Sequence, residues 1–306
     1  MPTRGPPWYL STRLGSLLIV ASALCFGTMA ILARFATPSG VDTPTLLLLR
    51  FGIAGAVLWA AVWIRRERLP AGRDLWVLLA MGALGYAGQA FAYFSALEHA
   101  SAGLVALLLY LHPVIVAVLA RVVLRHALRP VQLAAIAVAV AGSALTVGNA
   151  ADGTPLGVLY GVAAASIYAA YILTGSRLSA AVTPLGSTTV VVTAAAAVFV
   201  ASAAVRGVRL PATAAGWGAV LAIALVCTVA AVAMFLAGLA RIGPVRASIY
   251  STVEPVFTVF LATAVLGERL TLPRAAGGAL ILGGVLLLAR ADLKLAQPLH
   301  PSAATR

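Results

Sequence analysis

The stretch Leu97–Leu128, LEHASAGLVALLLYLHPVIVAVLARVVLRHAL, occurs a second time in this chain in a related form. Shifted by 142 positions, it lies without a gap on Leu239–Leu270, LARIGPVRASIYSTVEPVFTVFLATAVLGERL. The same offset also relates two pairs of glycines outside this window: Gly15 with Gly157, and Gly142 with Gly284. A constant offset over such a distance indicates an internal duplication with a unit of about 140 residues. Each copy carries a polar residue followed by proline deep in an apolar run, which is typical of secondary transporters.

The composition indicates a membrane protein. The chain has 306 residues, of which 62% are hydrophobic and 9% are charged, and its mean hydropathy is +1.04. Soluble domains carry about 25% charged residues. Apolar runs of about 20 residues, each long enough to cross a bilayer as a helix, recur along the chain. The sequence therefore predicts an all-α membrane protein, because the alternating segments of a membrane β-barrel are absent.

Ten membrane-spanning helices are predicted from these apolar runs and the charges, prolines and glycines between them. They are 14–33, 45–64, 75–96, 102–120, 131–149, 156–175, 183–205, 214–238, 247–266 and 273–290. The duplication divides them into two five-helix repeats, 14–149 and 156–290, flanked by tails at 1–13 and 291–306. Since five is odd, the two repeats are expected to enter the membrane in opposite directions, as an inverted pair.

The basic residues predict the orientation of the chain. The net charge is +13, but the arginines lie at the ends of apolar runs and not on a soluble patch, so we expect no nucleic-acid partner. With the N-terminus inside, 15 Lys and Arg residues face the cytoplasm and 5 face outward. Both tails are therefore predicted to be cytoplasmic.

Two polar residues stand at equivalent positions of the repeats, each followed by proline. Glu254 falls near the middle of the ninth predicted span, where a charge is costly, so it is either protonated or faces a wet cavity. It is interpreted as lining the pathway and binding a substrate amine, a proton or both; the alternative is a protonated acid that caps the backbone at Pro255. His112, before Pro113, is either a gate or proton site or a histidine bonded to the carbonyl that the proline frees.

Arg50 falls in the second predicted span. It either faces the cavity and attracts a carboxylate or extends to the interface. Polar and aromatic side chains recur inside other spans, and buried hydroxyls and amides need partners. They indicate either a cavity lined with rings and hydrogen-bonding groups or helix packing: Tyr86, Gln89, Tyr93, Tyr168, Tyr171 and Tyr250.

With its duplicated repeat, the Glu254-Pro255 step and the sequence Leu-Gly-Glu-Arg-Leu at 266–270, the chain resembles the drug/metabolite transporter superfamily, specifically its EamA-type exporters. Arg50 also fits that family. The first half departs from the pattern, because Arg125-His126 stands where the repeat expects Gly-Glu. The resemblance implies a bacterial inner-membrane exporter of amino acids, metabolites or drug-like solutes, and the ring-rich interior makes the similar aromatic amino acid exporters attractive.

We therefore expect a monomeric transporter that works by alternating access on a small-molecule substrate, with protons as a further partner if transport is coupled. No cofactor or metal is expected, since Cys25 and Cys227 lie in apolar runs without metal-binding spacing. The sequence has no charged ring or filter-like loop, and this argues against the alternative of a channel or membrane sensor. The sequence also lacks active-site motifs such as HExxH and GxSxG, and this argues against an intramembrane enzyme.

Overall fold

A computed structural model describes residues 7–112, 114–115, 118–119, 130–147, 153–175, 178, 182–251 and 253–296. Pro113, Arg125 and His126 lie outside these residues, as do the outer ends of both predicted tails. The described residues form helices and short connections, with one isolated β-bridge between Ala100 and Gly153. The prediction of an all-α protein is confirmed.

The α-helices follow one another with few intervening residues. They are α1 (Pro7–Gly27), α2 (Met29–Ala36), α3 (Thr43–Arg65), α4 (Gly72–Ala80), α5 (Ala87–His99), α6 (Ala102–Leu109), α7 (Pro130–Val147), α8 (Pro155–Gly175), α9 (Pro184–Arg206), α10 (Ala214–Ala224), α11 (Ala231–Ser251), α12 (Val253–Leu266) and α13 (Leu272–Ala296). A 3₁₀ turn at Thr37–Ser39 follows α2, and π-helical turns at Met81–Tyr86 and Leu225–Ala230 join α4 to α5 and α10 to α11.

Among the described residues, six helical stretches are long and apolar enough to cross a membrane: Arg13–Ser39, Thr43–Arg65, Gly72–His99, Pro155–Gly175, Pro184–Arg206 and Ala214–Phe235. Val253–Leu266 and Ala275–Gly284 are shorter apolar helices. The molecule is thus a multi-pass membrane protein, and the count of ten spans stays a prediction.

Local chemistry sets where several helices begin. Asp42 accepts a hydrogen bond from the Thr45 amide at the start of α3, and Thr183 accepts one from the Gly186 amide at the start of α9. Each cap satisfies an amide that has no partner inside its helix. The two helices are repeat equivalents, so the duplication extends to how they start.

The two halves pack against each other in a symmetric pattern. Helix α1 packs on α11, and in the same way α5 packs on α8. The pairs α3 with α9, α6 with α12 and α7 with α13 join equivalent elements of the two halves. Exchanging the halves therefore leaves these five pairings unchanged.

The π-helical turns obey the same symmetry. Met81–Tyr86 packs on α8 and α9, while Leu225–Ala230 packs on α1 and α3. A Cβ added at Gly82 would collide with the Val191 carbonyl of α9, so the first turn needs glycine for its close approach. Extra residues in a helical turn redirect the side chains that follow, and such turns occur often at functional sites.

Five connections meet at one end of the helix bundle: those that join α2 to α3, α5 to α6, α7 to α8, α9 to α10 and α12 to α13. The Ala212 amide donates to the Ser39 carbonyl and the Thr154 amide donates to the His99 carbonyl. Glu268 accepts from the amides of Ala102 and Gly103, at 2.7 and 3.2 Å, and so caps the start of α6. We call this the Glu268 end of the bundle. The predicted spans place all these connections outside the cytoplasm, and that orientation stays a prediction.

Gly267 and Glu268 of the second repeat explain part of the contact between these connections. Gly267 has a φ of +67°, the left-handed conformation that ends many helices, and the Glu268 amide then bonds the Ala262 carbonyl. The turn directs the Glu268 side chain to the N-terminus of α6, where a carboxylate is favourable.

Candidate functional site

The backbone beside Glu254 has a carbonyl group without its usual helical partner. Residues 247–251 belong to α11, and Glu254 lies in the first turn of α12. Because Pro255 has no amide hydrogen, it cannot bond the Ser251 carbonyl. That carbonyl instead accepts a hydrogen bond from the Tyr110 hydroxyl. A side chain of the first repeat thus replaces the helical hydrogen bond that the proline removes.

The helix is interrupted by a turn at the equivalent place in the first repeat. Helix α6 ends at Leu109, and residues 110–111 form a turn before His112. His112 Nδ1 lies 3.0 Å from the Leu109 carbonyl oxygen, which can only accept. The imidazole therefore carries a proton on Nδ1, and His112 bonds freed backbone as one of the two sequence interpretations proposes. Broken helices of this kind place polar groups at the binding sites of transporters.

Tyr110 contacts both His112 and Glu254. Its hydroxyl lies 3.1 Å from Glu254 Oε2, and its ring packs edge-on against His112 with centroids 5.4 Å apart. Tyr110 itself is 4% exposed. The repeat-equivalent residues His112 and Glu254 are therefore brought to opposite sides of one buried ring.

Close approach of the backbone fixes Glu254 from its other side. Thr258 donates to the carbonyls of Gly27 and Glu254, at 3.1 and 3.0 Å. A Cβ at Gly27 would lie 3.2 Å from the Glu254 carbonyl, which is tighter than ordinary contact. The end of α1 at Gly27 thus packs directly against the first turn of α12.

A continuous series of rings leads away from His112. Tyr168 packs on His112 with centroids 4.7 Å apart, Tyr171 stacks on Tyr168 at 6.2 Å, and Tyr86 contacts Tyr171 at 6.2 Å. The three tyrosines come from α8 and the first π-helical turn. They form an aromatic wall with polar hydroxyls that runs from His112 to Arg50 of α3.

Arg50 lies at the other end of this wall and is 2% exposed. Its Nε donates to Thr228 Oγ1 at 2.9 Å, and its Nη2 donates to the Tyr86 hydroxyl at 3.1 Å. The guanidinium carbon lies 4.9 Å from the ring centroid of Phe51 and 5.7 Å from those of Tyr86 and Phe94. Burial at this level does not fit a side chain that extends to the membrane interface.

The partners of Arg50 are neutral. Across the described part of the chain, its polar contacts are two hydroxyls, and no carboxylate lies within ion-pair distance. Cation–π contacts and neutral hydrogen bonds stabilise the charge, but a buried cation is normally paired. The guanidinium can make five hydrogen bonds, so it retains capacity for an anionic group.

Arg50 also marks the symmetry of the site. Tyr86 and Thr228, its two hydrogen-bond partners, are 142 positions apart and so occupy equivalent places in the π-helical turns of the two repeats. Position 192, equivalent to Arg50, is a buried valine. One arginine is therefore held by equivalent positions of both halves, although the residues at those positions, Tyr86 and Thr228, differ.

Three predicted residues lie apart from the ring series. Tyr93 is buried and packs edge-on against Phe94, next to Arg50. Gln89 is half-buried, and Tyr250 is 40% exposed. Neither makes a ring contact or hydrogen bond to the ring series among the described residues.

Four residues that contact Arg50, His112 or Glu254 were not singled out from the sequence: Tyr110, Thr228, Phe51 and Phe94. Thr228 carries a signal, since it is the repeat equivalent of Tyr86, and Tyr110 is a hydroxyl among leucines two positions before His112. Phe51 and Phe94 carry none, because phenylalanine in an apolar helix is ordinary packing. No three His, Cys, Asp or Glu side chains within the described ranges lie close enough to hold a metal ion.

The fold and this site define a helical membrane protein built from two packed repeats around a buried polar and aromatic interior. The EamA-like transporter family matches residues 13–148 and 155–290, so the chain belongs to that family. An uncharacterized transporter of Bacillus subtilis (strain 168), YcbK, is 26% identical over 276 residues, which are 86% of this chain and 88% of that protein. One crystal structure shares the fold with a TM-score of 0.66 at 24% identity, covering 92% of this chain and 99% of the other. The resemblance seen in the sequence is confirmed, and the family makes the protein a transporter.

Proposed function

We propose that this transporter exports small amphoteric metabolites across the bacterial inner membrane, with amino acids, aromatic ones among them, as the best-supported class. The observation that carries the proposal is the fully buried Arg50, whose described polar partners are neutral. A substrate carboxylate would complete its coordination, and a planar guanidinium binds carboxylates in bidentate fashion.

Glu254 supplies the opposite charge. It stands at the far end of the ring series from Arg50, and its described hydrogen-bond donor is the neutral Tyr110 hydroxyl. A substrate ammonium group would bind there. The tyrosine rings between the two charges offer stacking surfaces and hydroxyls, so an aromatic side chain or a drug-like ring would also find contacts.

Alternating access fits the packing. The symmetric contacts of the repeats allow one half to adopt the conformation of the other, which would open the site to the opposite face of the membrane. The turn before His112, the proline after Glu254 and the two π-helical turns are the places where helices can bend. Two inverted five-helix repeats, ten spans, a monomeric chain and cytoplasmic termini belong to this proposal.

Energy coupling would act through Glu254 or His112. One intramembrane acid alone makes a poor proton relay, so facilitated movement or weak proton coupling is favoured over tight coupling. If protons compete with a substrate amine at Glu254, an imposed pH gradient changes the rate of export but is not required for it.

The test is flux of a panel of amino acids and amphipathic solutes in proteoliposomes, with and without a pH gradient. Wild type is expected to move at least one zwitterionic member saturably. Glu254→Gln should lower that flux while protein yield stays intact, and Glu67→Gln, in a polar connection, serves as the matched control. Flux that Glu254→Gln leaves unchanged would remove Glu254 from the pathway.

A further inference from the structure

A cavity of about 150 Å³ lies at the Glu268 end of the bundle, away from the ring series. Its polar wall includes Arg34 at the end of α2, Thr43 at the start of α3 and Glu98 near the end of α5. Its apolar wall includes Phe94 and Leu97. Since Glu98 is exposed, the cavity communicates with the surface of the protein.

The two charges of this cavity are not paired with each other. Arg34 donates through Nη2 to the Ala100 carbonyl, and Glu98 accepts from the Thr43 hydroxyl through Oε1. Among the described residues, these neutral groups are their polar partners. A guanidinium has five donors and a carboxylate about four acceptor sites, so both charges keep most of their capacity.

The volume limits what can bind between them. A protein cavity of about 150 Å³ holds a molecule as small as benzene, whereas drug-sized ligands occupy about 300–1,000 Å³. The occupant is therefore a compact molecule that carries both a negative and a positive group. An amino acid with a short side chain has that size and charge.

Phe94 separates this cavity from the central site. Its side chain lines the cavity, is 2% exposed, and presents its ring to the guanidinium of Arg50 at 5.7 Å. A rotation of this one ring would open the cavity toward the guanidinium of Arg50. Arg34 and Arg50 would then offer two carboxylate sites in succession, on either side of Phe94.

We propose that the cavity is a peripheral zwitterion site, in which Arg34 binds the carboxylate and Glu98 the ammonium group of a small amino acid, and that Phe94 is the gate between it and Arg50. Transport of the bound zwitterion rests on the proposed function, whereas its binding in this cavity does not. The site would hold solute on the release path at the face of the membrane opposite the predicted cytoplasmic termini.

The experiment measures protection of a cysteine in the cavity by L-alanine. Thr37 lines the cavity and is exposed, so Thr37→Cys is introduced after Cys25→Ser and Cys227→Ser and is modified with a membrane-impermeant thiol reagent. The control is Ala212→Cys, which is exposed at the same end, because the Ala212 amide bonds the Ser39 carbonyl.

L-Alanine is expected to slow modification of Thr37→Cys saturably and to leave Ala212→Cys unaffected. Propionate and ethylamine, each with one of the two charges, should need at least about tenfold higher concentrations, since each lacks one charge-assisted contact. Arg34→Gln and Glu98→Gln should abolish protection. Unchanged labelling of Ala212→Cys in these variants shows that the fold is retained.

Protection that is absent up to the solubility of L-alanine, or that survives both Arg34→Gln and Glu98→Gln, overturns the site. Glu254→Gln separates this result from the proposed function, because it should lower flux while protection at Thr37→Cys persists. Protection without amino acid flux in wild type would contradict the proposed export and leave the peripheral site standing.

The gate is tested separately by Phe94→Ala. Removing the ring should let L-alanine at the peripheral site reach Arg50, so flux should become faster and less selective for size. Leu97→Ala, another apolar residue of the cavity wall, is the matched control. Equal effects of the two substitutions would show that Phe94 acts by packing alone and would overturn its role as gate.

Discussion

Replacing Thr228 by valine tests whether the central arginine is held in place by the π-helical turns. Thr228 is 1% exposed; its hydroxyl donates to the Ile223 carbonyl at 2.9 Å and accepts from Arg50 Nε at 2.9 Å. Valine keeps the shape of the side chain and removes the acceptor. The Nε hydrogen of a buried guanidinium would then lose this partner.

The expected loss of unfolding free energy in Thr228→Val follows from the charge of the Arg50 donor. A hydrogen bond to a charged group contributes about 1.5–3 kcal/mol in soluble proteins. Interhelical bonds in a membrane protein average about 0.6 kcal/mol and reach about 1.7 kcal/mol. Because the Arg50 donor is charged and buried, Thr228→Val should lower the free energy of unfolding by about 1.5 kcal/mol, near the top of the membrane range. The same loss of positioning should raise the substrate half-saturation concentration about tenfold.

The assays are unfolding by SDS in mixed micelles and saturable amino acid flux in proteoliposomes. Thr193→Val is the matched control: its hydroxyl accepts from Trp59 Nε1 at 2.9 Å on an exposed surface, so its loss should cost less than about 1 kcal/mol and leave flux intact. Tyr86→Phe removes the second acceptor and keeps the ring. Since both hydroxyls bind Arg50, the double variant should deviate from additivity by about 0.5 kcal/mol or more. Thr228→Val behaving like Thr193→Val in both assays would refute the positioning of Arg50 by the two repeats.

Three further predictions test other parts of the account. Glu268→Ala should lower the unfolding free energy by about 1–2 kcal/mol in the SDS titration, because two amides at the start of α6 lose their acceptor; an unchanged midpoint would show that the cap is dispensable. Gly82→Ala should destabilise by about 1–3 kcal/mol through its clash with α9, whereas Gly52→Ala, which meets open space, should be neutral or stabilising; equal effects would contradict the close packing. Tyr110→Phe should weaken substrate binding more than Tyr160→Phe, because Tyr110 alone of the pair bonds Glu254; equal half-saturation concentrations would argue against that link.

The sequence predicted the helical framework because membrane helices need long apolar runs, and such runs are legible without knowledge of packing. It also predicted that His112 and Glu254 occupy equivalent positions, since the repeat offset relates them directly. Their meeting at Tyr110 could not be predicted, because the shared ring lies in only one repeat and its contacts depend on how α6 packs on α12.

The environment of Arg50 shows a second limit of prediction from the sequence. Its position in an apolar run allows either extension to the interface or burial, and only packing distinguishes the two. The π-helical turns that carry Tyr86 and Thr228 have no marker in the sequence, since an extra residue in a helical turn leaves the apolar pattern of a buried helix nearly unchanged. Applying the repeat offset to Tyr86 would nevertheless have identified Thr228.

The surroundings of Glu254 fall between these cases. The proline predicts a freed Ser251 carbonyl, and that prediction needs only backbone chemistry. That this carbonyl accepts a hydrogen bond from the Tyr110 hydroxyl depends on a residue 141 positions away. Local chemistry thus identified the freed carbonyl, and tertiary packing determined its partner.

Counterflow in proteoliposomes tests alternating access at the central site most directly. Vesicles loaded with an unlabelled amino acid from the panel are diluted into a trace of the same labelled compound. Wild type should accumulate label transiently above its equilibrium level, because returning carriers bring labelled solute inward, and Arg50→Lys should abolish this overshoot. Label that equilibrates monotonically and without saturation in wild type would contradict a carrier with one site alternately open to each face.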